Sequence, residues 1–220
     1  MDANARAPLI VGIGGTTRPG SQTEQALSIA LRAAERRGAT VKLFGGNELA
    51  ALPHYQTPES HTSSIGSSMI EAVRSADGII LASPGYHGSV SGVVKNALDY
   101  FEELAKDQRV YLDGVAVGLI VTAYGWQATG STMAALRSIV HALRGWPTPL
   151  GVALNVSGGV FQSGECKDEA AAAQLDLVGK QVFEFAGSSR VRVARAVPDV
   201  AAEVPWWLVN PPTDGADGPR

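Results

Sequence analysis

A doubly wound α/β fold is what the 220-residue sequence predicts, on three observations. Five short apolar runs recur along the chain: Leu9 to Ile13, Val41 to Phe44, Gly78 to Ala82, Val115 to Val121 and Gly151 to Val156. Apart from Lys42 and Asn155 they read as continuous apolar runs instead of period-two alternation, as expected of strands in a parallel sheet covered on both faces. Between them apolar residues return at helical spacing, and strand–helix alternation specifies right-handed crossovers. Turn-forming residues follow the first, third and fourth runs, at the carboxyl edge where ligands of open α/β sheets sit.

The first run leads into Gly14-Gly15-Thr16-Thr17-Arg18-Pro19-Gly20-Ser21-Gln22-Thr23-Glu24, directly ahead of a helix with the stripe Leu27, Ala30, Leu31 and Ala34. The loop suits a phosphate. Thr16, Ser21 and Thr23 carry hydroxyls, Arg18 carries a fixed charge, and Gly15 lets backbone amides converge. Gln22 and Thr23 open a helix whose N-terminus presents unpaired N–H groups and the positive end of its dipole. The competing reading is a Ser21 or Thr23 cap beside a solvated Arg18, and the position directly after strand one favours phosphate. Gly12-x-Gly14 does not extend into a dinucleotide fingerprint: position 17 is Thr, and no acidic residue ends the second strand, Glu48 being expected in a loop. A mononucleotide held by a terminal phosphate fits better.

After the second strand come Leu52-Pro53-His54-Tyr55 and a helix carrying Met69, Val73 and Ala76. The third strand is expected to stop at Ala82, because Pro84 lacks a donor and Gly85 permits positive φ. In the loop that follows, Pro84, Gly85, Tyr86, His87, Gly88 and Ser89 are candidates to offer main-chain N–H and C=O groups to a planar heterocycle. A helix with Val94, Ala97, Leu98 and Phe101 comes next. Beyond the fourth strand, Tyr124, Gly125 and Trp126 face that loop, with Trp126 set either to stack on a ligand or to pack at a subunit interface. The helix after it carries Met133, Leu136, Val140 and Leu143, and the helix after the fifth strand carries Leu175, Val178, Val182 and Phe185. The helical pattern ends near Arg190, so residues 1–187 form the domain and 188–220 an irregular tail with Pro198, Pro205, Pro211 and Pro212. Trp206 and Trp207 are expected to dock on the domain or on a neighbouring subunit.

A hydrophobic fraction of 45% and mean hydropathy of +0.05 supply a full core. A net charge of −3 makes no electrostatic case for nucleic acid or membrane surface, leaving small molecules and other subunits as partners. The lone Cys166 excludes an intrachain disulfide and suits a reducing compartment. With no apolar run of membrane-spanning length and no signal pattern, the expected location is cytoplasmic. His54, His61, His87 and His141 lack the spacing and company of metal ligands, so no metal is expected. Ser89, His141 and Asp99 lack a Gly-x-Ser-x-Gly elbow for hydrolysis.

The stretch from Pro84 to Asp99 resembles the second flavin motif of the NAD(P)H-dependent FMN reductase family. Pro84, Tyr86, Gly88, Ser89, Gly92, Lys95, Asn96, Ala97 and Asp99 stand on its fixed positions. The first loop is similar to that family's Gly-Ser-x-Arg-x-x-Ser, with Gly15, Arg18 and Ser21 matching and Thr16 replacing the serine. Leu52 to Tyr55 is similar to its Leu-Pro-x-Tyr segment, which commonly lies near a neighbouring subunit. Departures are Gly85 and Ser91, where the family often has Glu and Pro, and the Trp-bearing third loop. The resemblance implies a flavodoxin-like three-layer fold of five parallel strands in the order 2-1-3-4-5. It also implies FMN and NAD(P)H as cofactors, with hydride passing from nicotinamide to flavin and no catalytic side chain required. A homodimer or homotetramer is implied, and a flavin-dependent monooxygenase that receives reduced FMN. The alternatives are a quinone, azo or chromate reductase that keeps its FMN, a flavodoxin-like electron carrier, and a non-catalytic module that has lost the cofactor. A net charge of −3 argues against the carrier, which needs a strongly acidic docking face.

Overall fold

The computed structural model describes residues 6–194, with a parallel sheet as the middle of three layers. Its strands are β1 (Leu9–Gly14), β2 (Thr40–Phe44), β3 (Gly78–Tyr86), β5 (Ala116–Ala123) and β6 (Trp146–Asn155) in the order β2-β1-β3-β5-β6. A two-residue β4 (Ser89–Val90) folds back antiparallel on β3. With β4 left out, this is the flavodoxin-like order expected from the sequence.

Side-chain alternation along the strands feeds two cores. On one face Val11, Ile13, Ile79, Leu81, Val117 and Leu119 pack against α3 (Ser64–Ser75), α4 (Gly92–Asp99) and α5 (Trp126–Ala142). On the other, Ile10, Ile80, Ala82, Ile120 and Val152 pack against α1 (Gln22–Glu35) and α6 (Glu169–Ala194). Successive strand residues point to opposite faces, and helices on both sides make every one of these positions apolar, hence the unbroken runs in the sequence.

The structure departs from expectation at several boundaries. β3 runs through Pro84 to Tyr86 instead of stopping at Ala82. β1 ends at Gly14 opposite Ala82 and β4 pairs with β3 only from Gly85, so at Pro84 β5 alone flanks β3, and a residue without an N–H is tolerated at such an edge. β6 begins at Trp146 and not at Gly151; as the outer strand it accommodates Pro147 and Pro149. Glu48 lies in the first turn of a short α2 (Gly46–Ala51), not in a loop, and its carboxylate accepts from Gly45 N at 3.0 Å. On α6, Phe185 is exposed and Ala186 occupies the buried face. That helix continues to Ala194, past the boundary read at 187, while Trp206, Trp207 and the tail prolines lie outside the described residues.

Candidate functional site

The loop after β1 is built around a turn. Ser21 N donates to Arg18 O at 3.3 Å across Pro19 and Gly20, and Gly20 has φ +68°. Proline at the second position and positive φ at the third define a type II turn, which fixes where Arg18 leaves the chain. Thr16 Oγ1 accepts from Arg18 N at 3.0 Å and donates to Arg18 O at 3.2 Å, so this hydroxyl positions Arg18 and does not stand free. The Arg18 guanidinium is exposed, with no hydrogen bond or ion pair to any described residue. Ser21 caps α1 by accepting from Glu24 N, leaving its own O–H able to donate outward.

Thr23 is placed differently. It is 2% exposed and shares a 2.6 Å hydroxyl–hydroxyl bond with Thr122 at the end of β5, so it ties α1 to the sheet beneath the loop. Gln22 Oε1 is buried and has no hydrogen-bond partner among the described residues. The N–H groups of Gln22 and Thr23 lack intrahelical acceptors by the geometry of a helix start. Behind the loop, Glu24 accepts from Gly46 N at 2.7 Å and from Gly20 N at 3.4 Å, clamping the loop to the start of α2.

The second loop is a hairpin. Tyr86 pairs with Ser89 across His87 and Gly88, whose φ values of 52° and 82° match the type I′ turn that joins twisted strands. Ser83, fully buried, donates to Pro84 O and accepts from Ser91 N at 3.0 Å, and Ser91 then caps α4. Gly85 backs onto α5, where a Cβ would stand 2.9 Å from Thr132 Oγ1, a buried hydroxyl with no partner among the described residues. Gly88 is demanded by backbone conformation more than by space, since an added Cβ would meet only Ser131 Oγ, at 3.3 Å. Gly88→Val is expected to cost about 1–2 kcal/mol in chemical denaturation, because a β-branched side chain is disfavoured at positive φ. Unchanged stability would show that the turn does not need its glycine.

The third loop contributes Tyr124, Gly125 and Trp126 at the mouth of α5. Tyr86, Tyr124 and Trp126 are 53%, 76% and 69% exposed, grouping three open aromatic side chains at the ends of β3 and β5. Adjacent strand ends bring all three loops to one edge: Gly15 N donates to Ala82 O, Pro84 lies in register with Thr122, and Thr23 reaches Thr122.

The later residues of the second motif do other work. Asn96 donates from Nδ2 to Pro53 O and accepts from Tyr55 N, both at 2.9 Å, while Tyr100 Oη donates to Pro53 O at 2.8 Å. Lys95 pairs with Asp99 on the exposed side of α4. Burial first, and then the bond to Glu103, push the Tyr55 phenol up to about 12. These groups brace the Leu52–Tyr55 segment against α4. Sequence reasoning missed Ser83, Glu24, Gln25 and a small hairpin of β7 (Phe161–Gln162) and β8 (Glu165–Cys166). Its signal was a two-residue Ser163-Gly164 turn between two short flanks.

Among the described residues, no three His, Cys, Asp or Glu side chains gather as metal ligands, and no helix is long and apolar enough to cross a membrane.

The sheet edge thus brings together a cationic loop on a helix N-terminus, a hairpin and open aromatics, at the place where open α/β sheets take ligands. The sequence matches the family described as NADPH-dependent FMN reductase over residues 8–159, and the chain belongs to that family. The FMN-dependent NADPH-azoreductase of Staphylococcus saprophyticus is 33% identical over 150 residues, covering 64% of this chain and 73% of the relative. The one from Staphylococcus haemolyticus is 35% identical over 88 residues, covering 40% of this chain and 43% of the relative, less than half of that protein's length. Among solved structures, that of the NADH:FMN oxidoreductase EMOB in its apo form is similar with a TM-score of 0.60 at 21% identity, over 83% of this chain and 90% of the other. At that identity the likeness concerns the fold.

Proposed function

We infer that this chain is an NAD(P)H-dependent flavin reductase that holds FMN along the carboxyl edge of its sheet. The observation that carries the reading is the exposed Arg18 guanidinium, without a partner among the described residues and presented by a type II turn at the N-terminus of α1. Phosphate fits there because a fixed cation, the Ser21 hydroxyl and the N–H groups of Gln22 and Thr23 are donors without acceptors. Gln22 Oε1 is the complementary feature: a buried acceptor lacking a donor, of the kind a ribityl hydroxyl supplies. The backbone of Gly85 to Ser89 offers the edge for the ring, and Tyr86, Tyr124 and Trp126 provide aromatic surface around it.

Bound FMN supplies the hydride acceptor for a reduced nicotinamide, and the protein supplies orientation and electrostatics. The three aromatics also favour a second reading, in which the flavin stays bound and a planar quinone or azo compound takes the electrons; the names of the azoreductase relatives support it. In the first reading reduced FMN passes to a monooxygenase. We read the assembly as a homodimer or homotetramer, with a second copy covering the open side of the flavin.

One set of measurements tests this. The purified protein mixed with FMN is expected to retain a flavin absorption spectrum through desalting, to oxidise NADPH or NADH, and to scatter light as at least a dimer. Absence of flavin binding would overturn the proposal, and a fully active monomer would overturn its assembly.

A further inference from the structure

Gln25 sits one turn into α1 and uses both ends of its amide. Its Nε2 donates to Gly20 O at 2.8 Å, and its Oε1 accepts from Gly164 N at 3.0 Å. Gly20 is the third residue of the Arg18 turn, and Gly164 is the tip of the β7–β8 hairpin, more than a hundred residues along the chain. Two further bonds frame this bridge. Arg32, two turns along α1, donates to Gly164 O at 3.0 Å, so α1 grips the hairpin tip by both its N–H and its carbonyl. Glu24 accepts from Gly20 N, so the Gly20 residue is held by its N–H as well as its carbonyl.

The direction of these bonds matters. The Gly20 carbonyl and the Ser21 N–H belong to one planar peptide, and fixing the carbonyl fixes the N–H that closes the turn onto Arg18 O. An amide can donate to one loop through its nitrogen while its oxygen accepts from another, which neither a carboxylate, with no donor, nor an ammonium, with no acceptor, can do in its place. The hairpin has a defined turn: Ser163 and Gly164 have φ values of 51° and 81°, a type I′ turn pairing Phe161 with Cys166 and Gln162 with Glu165.

We propose that Gln25 is a positioning residue that ties the β7–β8 hairpin to the Arg18 turn, so that the hairpin serves as scaffold for phosphate recognition. This rests on the phosphate reading of the Arg18 loop. The amide touches no ligand; it restricts the turn to the conformation that presents Arg18 and the α1 N-terminus together.

The test compares FMN with riboflavin, which lacks the phosphate, on the full chain carrying Gln25→Leu, Arg32→Leu or both, beside Arg18→Ala. Losing one hydrogen-bonded brace is expected to raise the dissociation constant for FMN about five-fold in each single variant, with riboflavin affinity and melting temperature little changed. The double variant is expected to fall well short of the product of the two effects, because both substitutions release the same hairpin. An indiscriminate structural loss would lower both affinities together, and that result overturns the proposal, as does an unaltered FMN affinity in either single variant. A loss in Arg18→Ala with none in Gln25→Leu removes the positioning role alone. No loss in Arg18→Ala removes the phosphate reading and this inference with it.

Discussion

Replacing Arg18 with Ala is expected to weaken FMN binding by about 1.5–3 kcal/mol, roughly ten-fold or more, while riboflavin binding stays as it was. The substitution is clean on structural grounds. The guanidinium is exposed and has no partner among the described residues, and the backbone bonds that shape the loop, Arg18 N to Thr16 Oγ1 and Ser21 N to Arg18 O, need no side chain at position 18. Stability should therefore be unaffected, and the whole effect should fall on the ligand. Because the contact forms at an exposed site, the gap between wild type and variant should narrow as ionic strength rises and shortens the screening length. Fluorescence titration with both flavins at low and high salt measures this. Equal losses for FMN and riboflavin would show that position 18 does not read the phosphate.

The parts of this molecule that were legible in the sequence are those fixed by local chemistry. The unbroken apolar runs of β1, β3 and β5 mark strands covered on both faces, and Pro19-Gly20 ahead of Ser21 carries the signature of the turn that the structure shows. Other features depended on contacts between distant segments. Thr23 looked like one more hydroxyl in a polar loop, yet helical spacing turns it inward to Thr122, 99 residues away. Asn96 stood on a flavin motif and proves to clamp Pro53 and Tyr55, since its position on α4 faces the segment after α2. Pro84 read as a strand terminator because a single sequence does not show that β1 has already ended beside it. Gln25 offered no sign of its bridge, because the second of its backbone partners, Gly164 N, lies 139 residues along the chain.

Gly14→Ala is expected to be the most damaging small substitution near the site, costing about 3 kcal/mol or more of stability, because rigid main chain occupies the space a side chain needs. A Cβ at position 14 would lie 2.0 Å from Ala82 O and 2.8 Å from both Ala82 C and Ala82 N, and the residue has φ +153°. These are backbone atoms of the central strand, held by β5 on their far side, so no rotamer change relieves the overlap. The ends of β1 and β3 would have to separate, and with them the bond from Gly15 N to Ala82 O at 3.3 Å. That junction also sets the distance between the Arg18 loop and the Tyr86–Ser89 hairpin, so affinity for FMN and for riboflavin should fall together, unlike the selective loss at Arg18. Gly130→Ala is the control. Gly130 is exposed inside α5, nothing lies within 4 Å of its added Cβ, and the change should stabilise by about 0.5–1 kcal/mol through helix propensity. Denaturant midpoints for the two variants decide the matter: a Gly14→Ala protein as stable as the parent would mean that β1 and β3 do not approach this closely where the two loops begin.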